Sequence, residues 1–212
     1  MTETAEKPTI NTRSSAAVPE LTIVVPTFNE RQNIRPLVAL LDQALKGRDW
    51  EVIFVDDDSP DGTAKEVRAV NRERANVRVV HRIGQRGLAG ACIEGILSSI
   101  APIVAVMDAD LQHDETKLAE MLALMQADPD LDLVIGSRNV ADGSSGTGLT
   151  AFRKWGSDVA TAMARRILKI TAADPMSGFF MLRRASFNGV VVGLQKQGFK
   201  ILADMLSASK GR

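Results

Sequence analysis

The chain has 212 residues, 45% hydrophobic and 25% charged, with 26 Lys/Arg balanced by 26 Asp/Glu. That mixture points to a globular chain long enough for one sizeable core, built as one α/β domain with an appended element. Its apolar runs fall far short of the roughly 18 to 20 residues that cross a bilayer, there is no basic-then-apolar leader pattern, and a single cysteine, Cys92, excludes an intrachain disulfide and argues against a thiolate metal site.

Residues 1–20 form a polar tail with two prolines and no period, and no structure is assigned to them. Leu21 to Pro26 reads as a strand, and Ile34 to Leu45 carries apolar residues at helical spacing, with Pro36 tolerated in the first turn. Glu51 to Val55 reads as strand, Thr63 to Arg74 as helix, Val77 to His81 as strand, and Leu88 to Ile100 as helix. Ile103 to Met107 is then strand, Thr116 to Gln126 helix and Leu131 to Ile135 strand. Strands alternating with helices of about 12 residues imply a mostly parallel sheet with right-handed crossovers, which sends the strand C-termini to one edge. Pro26 to Glu30, Asp56 to Asp61, Asp108 to Gln112 and Gly136 to Arg138 should therefore gather at one rim, where ligands bind in open α/β sheets.

Acidic residues at that rim carry the chemistry. Asp-x-Asp occurs four times, at Asp56/Asp58, Asp108/Asp110, Asp128/Asp130 and Asp130/Asp132. The last two lie in the polar stretch ADPDLD and read as a solvated loop, whereas the first two each follow an apolar, β-branched run. Paired carboxylates at the end of a buried strand can hold a hard divalent cation, so two acidic strand ends suggest a metal and nucleotide site. In DDDSPDGT, Asp61 and Thr63 read as helix caps and Asp58 as solvated, leaving Asp57 as the candidate for ribose hydroxyls or base N–H groups. His113, beside the acidic triplet, reads as an ordinary turn residue, with a role at or behind the cation as the alternative. Gly146 to Ala151 matches G-x-G-x-x-A but follows a polar stretch and not a strand, so it reads as loop.

The zero net charge is a cancellation. Residues 1–149 carry 15 Lys/Arg against 23 Asp/Glu, while residues 150–200 carry 9 Lys/Arg against 2 Asp/Glu. An acidic part able to hold cations followed by a basic part able to face phosphates suits a partner with an anionic headgroup. Residues 151–170 place Phe152, Trp155, Val159, Ala162, Met163, Ile167 and Ile170 at helical spacing amid Arg153, Lys154, Arg165, Arg166 and Lys169. This reads as a basic amphipathic helix, either meeting a membrane interface or packed on the sheet with its arginines in water.

VVPTFNE, VDDDSPDGT, GLAGA, MDADLQH and GSR, in this order and spacing, resemble the catalytic domain of polyprenyl-phosphate (dolichol-phosphate) mannose synthases within family 2 glycosyltransferases, over about Leu21 to Leu206. The resemblance implies a nucleotide-binding glycosyltransferase A-type fold, Rossmann-like, that moves a sugar from a nucleotide diphosphate to a lipid phosphate with inversion. It places Pro26, Phe28, Glu30, Val55 and Asp57 around the donor's base and ribose. Phe28 departs from the family's frequent tyrosine, keeping the stacking face without the hydroxyl. Asp108, Ala109, Asp110 and Gln112 match the metal and diphosphate site, with Mg²⁺ or Mn²⁺ as the implied cofactor. Arg138 matches a phosphate-binding arginine with a catalytic part beside Asp110, and Arg153 and Ser157, four apart on one helical face, match acceptor-phosphate contacts.

On this reading residues 1–20 are a tail, 21–140 the donor and metal half, and 141–212 the acceptor and membrane-facing half of a glycosyltransferase domain. The implied partners are a nucleotide sugar, GDP-mannose foremost, a polyprenyl phosphate and the cytoplasmic face of a membrane, with no nucleic acid. Family members usually follow GFKIL with another strand and a segment bearing an arginine and a lysine, and many continue into membrane helices. This sequence has no such segment before Arg212, so the expectation is donor and metal binding with weak turnover. The alternatives are a UDP-glucose-dependent polyprenyl-phosphate glucosyltransferase and a non-catalytic nucleotide-sugar-binding or membrane-binding module.

Overall fold

The computed structural model describes residues 18–136 and 178–194. Six strands form one sheet: β1 (Leu21–Thr27), β2 (Trp50–Asp56), β3 (Val77–His81), β4 (Ile103–Val106), β5 (Leu133–Ile135) and β6 (Phe180–Arg183), in the order β3-β2-β1-β4-β6-β5. β3, β2, β1 and β4 pair in parallel, while β6 runs antiparallel between β4 and β5. The helices are α1 (Ile34–Ala44), α2 (Thr63–Glu73), α3 (Leu88–Ser98), α4 (Lys117–Ala127) and the short α5 (Arg184–Val190).

Period-two alternation assigns each strand residue to a face. Leu21, Ile23 and Val25 of β1, Val52 and Phe54 of β2, and Ile103 and Ala105 of β4 pack with Ile34, Leu37 and Leu41 of α1, Val67 of α2 and Leu118, Met121 and Met125 of α4. Val24, Ile53, Val55, Val104 and Val106 face the other way, against Ala89, Cys92, Ile93 and Ile96 of α3 and Phe187 of α5. Both faces are covered, which is why the strands read as continuous apolar runs. α3 sits so close that a Cβ on Gly95 would lie 2.3 Å from Val24 Cγ1.

The elements expected within the described residues appear, with shifted ends. α3 stops at Ser98, two residues short of the predicted Ile100, because Ser99 turns extended and its hydroxyl accepts the Ala101 N–H and donates to Thr22. α4 begins at Lys117 because Asp114 Oδ1 accepts both the N–H and the hydroxyl of Thr116. Residues 18–20, expected in the tail, already join the fold: the Glu20 N–H donates to Asp49 O at 2.9 Å. The strand that sequence reading missed is β6. It is four residues long, and both its partners, β4 and β5, are remote in sequence. Since β6 is antiparallel to each neighbour, β5 still points the same way as β4, and the expected rim is preserved. No helix among the described residues is long and apolar enough to cross a membrane.

Candidate active site

β1 neighbours β2 on one side and β4 on the other, so the chain reverses its winding direction at β1, and the crevice above this switch is where an α/β sheet offers a binding site. Three backbone donors stitch the β1–α1 loop to the β2–α2 loop there. The Asn29 N–H donates to Ser59 Oγ at 2.9 Å, the Glu30 N–H to Thr63 Oγ1 at 3.0 Å, and the Arg31 N–H to Asp61 Oδ2 at 3.1 Å. Asn29, Asp58 and Leu111, at the ends of β1, β2 and β4, hold positive φ of 62°, 55° and 60°. Left-handed backbone at non-glycine residues is costly and concentrates at functional sites.

The carboxylates of DDDSPDGT take separate tasks. Asp56, fully buried, accepts from the Ser59 N–H and hydroxyl and closes the turn. Asp61 accepts from the Thr63 N–H and hydroxyl as well as from Arg31; the cap position of α2 itself falls to Gly62, and Thr63, expected as a cap, is the first helical residue. Burial pushes the Asp61 carboxyl upward, but these hydrogen bonds outweigh it and hold it below the usual range. Asp58 is more engaged than a solvated acid. It accepts the Gly84 N–H at 3.1 Å and faces His81 Nε2 at 3.0 Å, and these contacts, the Gly84 bond first, lower its pKa. On the other side of the same ring, Arg68 Nη2 lies 3.1 Å from His81 Nδ1.

Asp57 is 7% exposed, with Oδ2 accepting the Gly87 N–H at 2.7 Å and Oδ1 accepting from Arg82 Nη1. Arg82, 6% exposed, also donates to Gly87 O at 3.2 Å. Its Nε is 3.1 Å from Glu94 Oε1 but badly aimed for a hydrogen bond, so that contact is ionic by distance alone. Asp57 also lines a pocket of about 420 Å³ with Pro26, Thr27, Phe28, Arg86, Gly87 and Leu88. That size lies in the range of small-ligand sites. Phe28 is 40% exposed although the Arg86 guanidinium sits 4.0 Å from its ring centroid, a cation–π contact. Glu30 is held by Asn33 Nδ2 at 2.6 Å. Val55 is fully buried, packed toward α3 under the pocket, with its carbonyl accepting from Thr27 Oγ1.

At the end of β4, Asp108 is half-buried, Ala109 is buried, and Asp110, Leu111 and Gln112 are exposed on one turn in which Asp110 Oδ1 accepts the Gln112 N–H at 3.1 Å. His113 Nε2 lies 3.2 Å from Asp108 Oδ2. Gly178, just before β6, packs against the Asp108 carboxylate, where a Cβ would stand 2.4 Å from Oδ2. The space this glycine leaves is filled by the Asp108 carboxylate. Cys92 of α3 lies within the field of these groups. Burial foremost, then the charge of Asp108, pushes its thiol up to about 12. Among the described residues no group of three or more His, Cys, Asp or Glu side chains could hold a cation unaided. Two carboxylates and an amide on one turn nonetheless suit Mg²⁺ or Mn²⁺, which keep few protein ligands and complete their shell from phosphate and water.

Arg138, Arg153 and Ser157, with the 151–170 helix, lie outside the described residues. Sequence reading overlooked Arg82 and Arg86 and gave Gly87, the first residue of GLAGA, no role. The available signal was that β3 also ends at the rim, so RIGQRG after His81 belonged with the other loops.

A mostly parallel, doubly wound sheet that carries an acidic turn and a small-ligand pocket at its strand C-terminal rim is the architecture of the glycosyltransferase A-type fold. The glycosyl transferase family 2 pattern matches residues 22–190, and the chain belongs to that family. It is 36% identical over 193 residues to a dolichol-phosphate mannosyltransferase of Pyrococcus furiosus, covering 90% of this chain and 53% of that protein. It is 32% identical over 192 residues to a protein of the same description from Saccharomyces cerevisiae, covering 89% and 70%. The fold matches a mannosyltransferase from Pyrobaculum calidifontis, solved with GDP-Man and Mn²⁺, with a TM-score of 0.61 at 20% identity, over 90% of this chain and 51% of that one. The chain thus spans about half the length of the Pyrococcus relative and of the Pyrobaculum structure.

Proposed function

We propose that this chain forms the donor- and metal-binding part of a polyprenyl-phosphate mannosyltransferase, which moves mannose from GDP-mannose to a dolichyl-type monophosphate with inversion. The observation that carries the reading is the pairing of the Phe28/Asp57 pocket with the Asp108–Asp110–Gln112 turn on one rim. Identity of 32% to 36% to dolichol-phosphate mannosyltransferases supports the sugar and the acceptor class.

Phe28 offers ring surface for a base, while Asp57, pinned by Arg82 and Gly87, keeps acceptor lone pairs for base or ribose donors. Asp108, Asp110 and Gln112 would hold a divalent cation, which would supply positive charge to neutralise a departing nucleoside diphosphate. An acceptor phosphate is already ionised near neutral pH, so the chain need not supply a strong base. Its oxygen attacks the anomeric carbon opposite the leaving group, the glycosidic C–O bond to the diphosphate breaks, and one displacement inverts the centre. Catalysis is then alignment and electrostatics. Arg138, Arg153 and Ser157 are assigned to the phosphates by resemblance, and work at a cytoplasmic membrane surface follows from the lipid acceptor.

The test is thermal stability with GDP-mannose and with UDP-glucose, each with and without Mn²⁺. A ligand at 100 times its dissociation constant stabilises by about 2.7 kcal/mol. A metal-dependent rise with GDP-mannose alone, followed by mannosyl transfer to polyprenyl phosphate that Asp110→Ala abolishes, is the expected result. A rise with UDP-glucose alone would replace the reading by the glucosyltransferase, and binding without any transfer would leave a nucleotide-sugar-binding module.

A further inference from the structure

His113 is 7% exposed, an unusual burial for a side chain in a polar rim loop. Two contacts explain it. Its ring packs on Phe179 with centroids 5.1 Å apart and planes inclined by 33°, and its Nε2 lies 3.2 Å from Asp108 Oδ2. An ionised carboxylate only accepts, so Nε2–H is the donor. Phe179 is itself fixed: its carbonyl accepts the Gly136 N–H at 2.8 Å, and its ring lies where a Gly136 Cβ would stand, 2.4 Å from Cδ1. Gly178 closes the Asp108 carboxylate from behind. Asp108 Oδ1 accepts no hydrogen bond among the described residues.

We propose that His113 is a positioning residue for the cation site. By holding Oδ2 of Asp108 it turns Oδ1 toward the rim and Asp110, with Phe179 locking the imidazole. The inference rests on the reading of Asp108 as a cation ligand. It gives β6 a task beyond packing: the two residues that lead into this late strand, Gly178 and Phe179, form the back wall of a site whose carboxylates come from β4. Hydrogen bonds to a ligating carboxylate fix its orientation, and removing such a partner typically costs 10- to 100-fold in metal affinity.

The experiment is a Mn²⁺ titration of the whole chain by electron paramagnetic resonance at saturating GDP, with metal-free GDP binding measured in parallel, for the native protein, Asp108→Asn, His113→Ala and His113→Gln. Mn²⁺ binding should weaken by about 10- to 100-fold in His113→Ala while metal-free GDP binding holds. His113→Gln, whose amide nitrogen reaches as far as Nε2, should recover most of the loss, and Asp108→Asn should abolish Mn²⁺ binding. Unchanged Mn²⁺ affinity in His113→Ala, a glutamine variant as weak as the alanine one, or a parallel loss of metal-free GDP binding would each overturn the positioning role. A native protein that binds no Mn²⁺ would instead remove the cation site, and this role with it.

Discussion

Replacing Asp57 by alanine strands Arg82. Both side chains are buried, Asp57 supplies the guanidinium's one well-directed carboxylate, and the remaining contacts are Gly87 O at 3.2 Å, Gln85 Oε1 at 3.3 Å and the poorly aimed Glu94. Breaking a buried pair from one side costs roughly 3 to 5 kcal/mol, because the surviving charge is left without its counter-ion. Glu94 is part-exposed and close enough to compensate a little, which puts the expectation near the lower end, about 3 kcal/mol. For a chain of this size 1 kcal/mol shifts Tm by about 2 to 4 °C, so Asp57→Ala should melt about 6 to 12 °C below the native protein. Arg82→Met in the same background removes the stranded charge and should recover at least about half of that loss. The assay is a double-mutant cycle by urea unfolding, read beside the GDP-mannose-induced Tm shift, which should vanish wherever Asp57 is absent. If Asp57→Ala falls within about 0.5 kcal/mol of the native protein, as ordinary surface changes do, or if the two substitutions simply add, the buried-pair argument is wrong.

Phe28→Ala removes the ring against which a base would stack, a contact worth about 1 to 3 kcal/mol, so calorimetry should find GDP bound roughly 5- to 150-fold more weakly, while Phe28→Tyr binds as the native protein does. Equal affinity in the alanine variant would exclude stacking at this position. Cys92 is buried and its thiol is pushed up to about 12, so thiol reagents at pH 8 should label it only on unfolding. Because the folded pKa lies above the ordinary 9.0, the stability this thiol contributes is complete below about pH 9 and declines as pH rises toward 12, and Cys92→Ala should flatten that alkaline decline. Rapid labelling of the folded protein at pH 8 would contradict the burial.

Much of the fold was legible because neighbouring residues specify it. Leu21–Thr27 and Trp50–Asp56 are apolar on both faces, the helices carry their stripes, and parallel βα units leave little freedom about where strand ends go. The Asp108–Gln112 turn and Asp57 therefore stood at the rim on sequence grounds alone. Asp61 was legible as a group serving the start of α2, since it bonds only two residues away, although Gly62, and neither Asp61 nor Thr63, holds the cap position.

What tertiary structure decided was everything that rests on contacts across large sequence separations. The chain order does not reveal that β6 enters between β4 and β5, because the partners of this short strand lie far away in sequence and it does not follow the regular strand–helix alternation. Nor does it reveal that Arg82 neutralises Asp57 from 25 residues away, that Arg86 settles on Phe28, or that Phe179 backs His113. Local sequence determined which chemical groups reach the rim, through hydrophobic period and strand direction. Only packing determined which of those groups is paired, which is turned outward, and therefore which is available to a ligand.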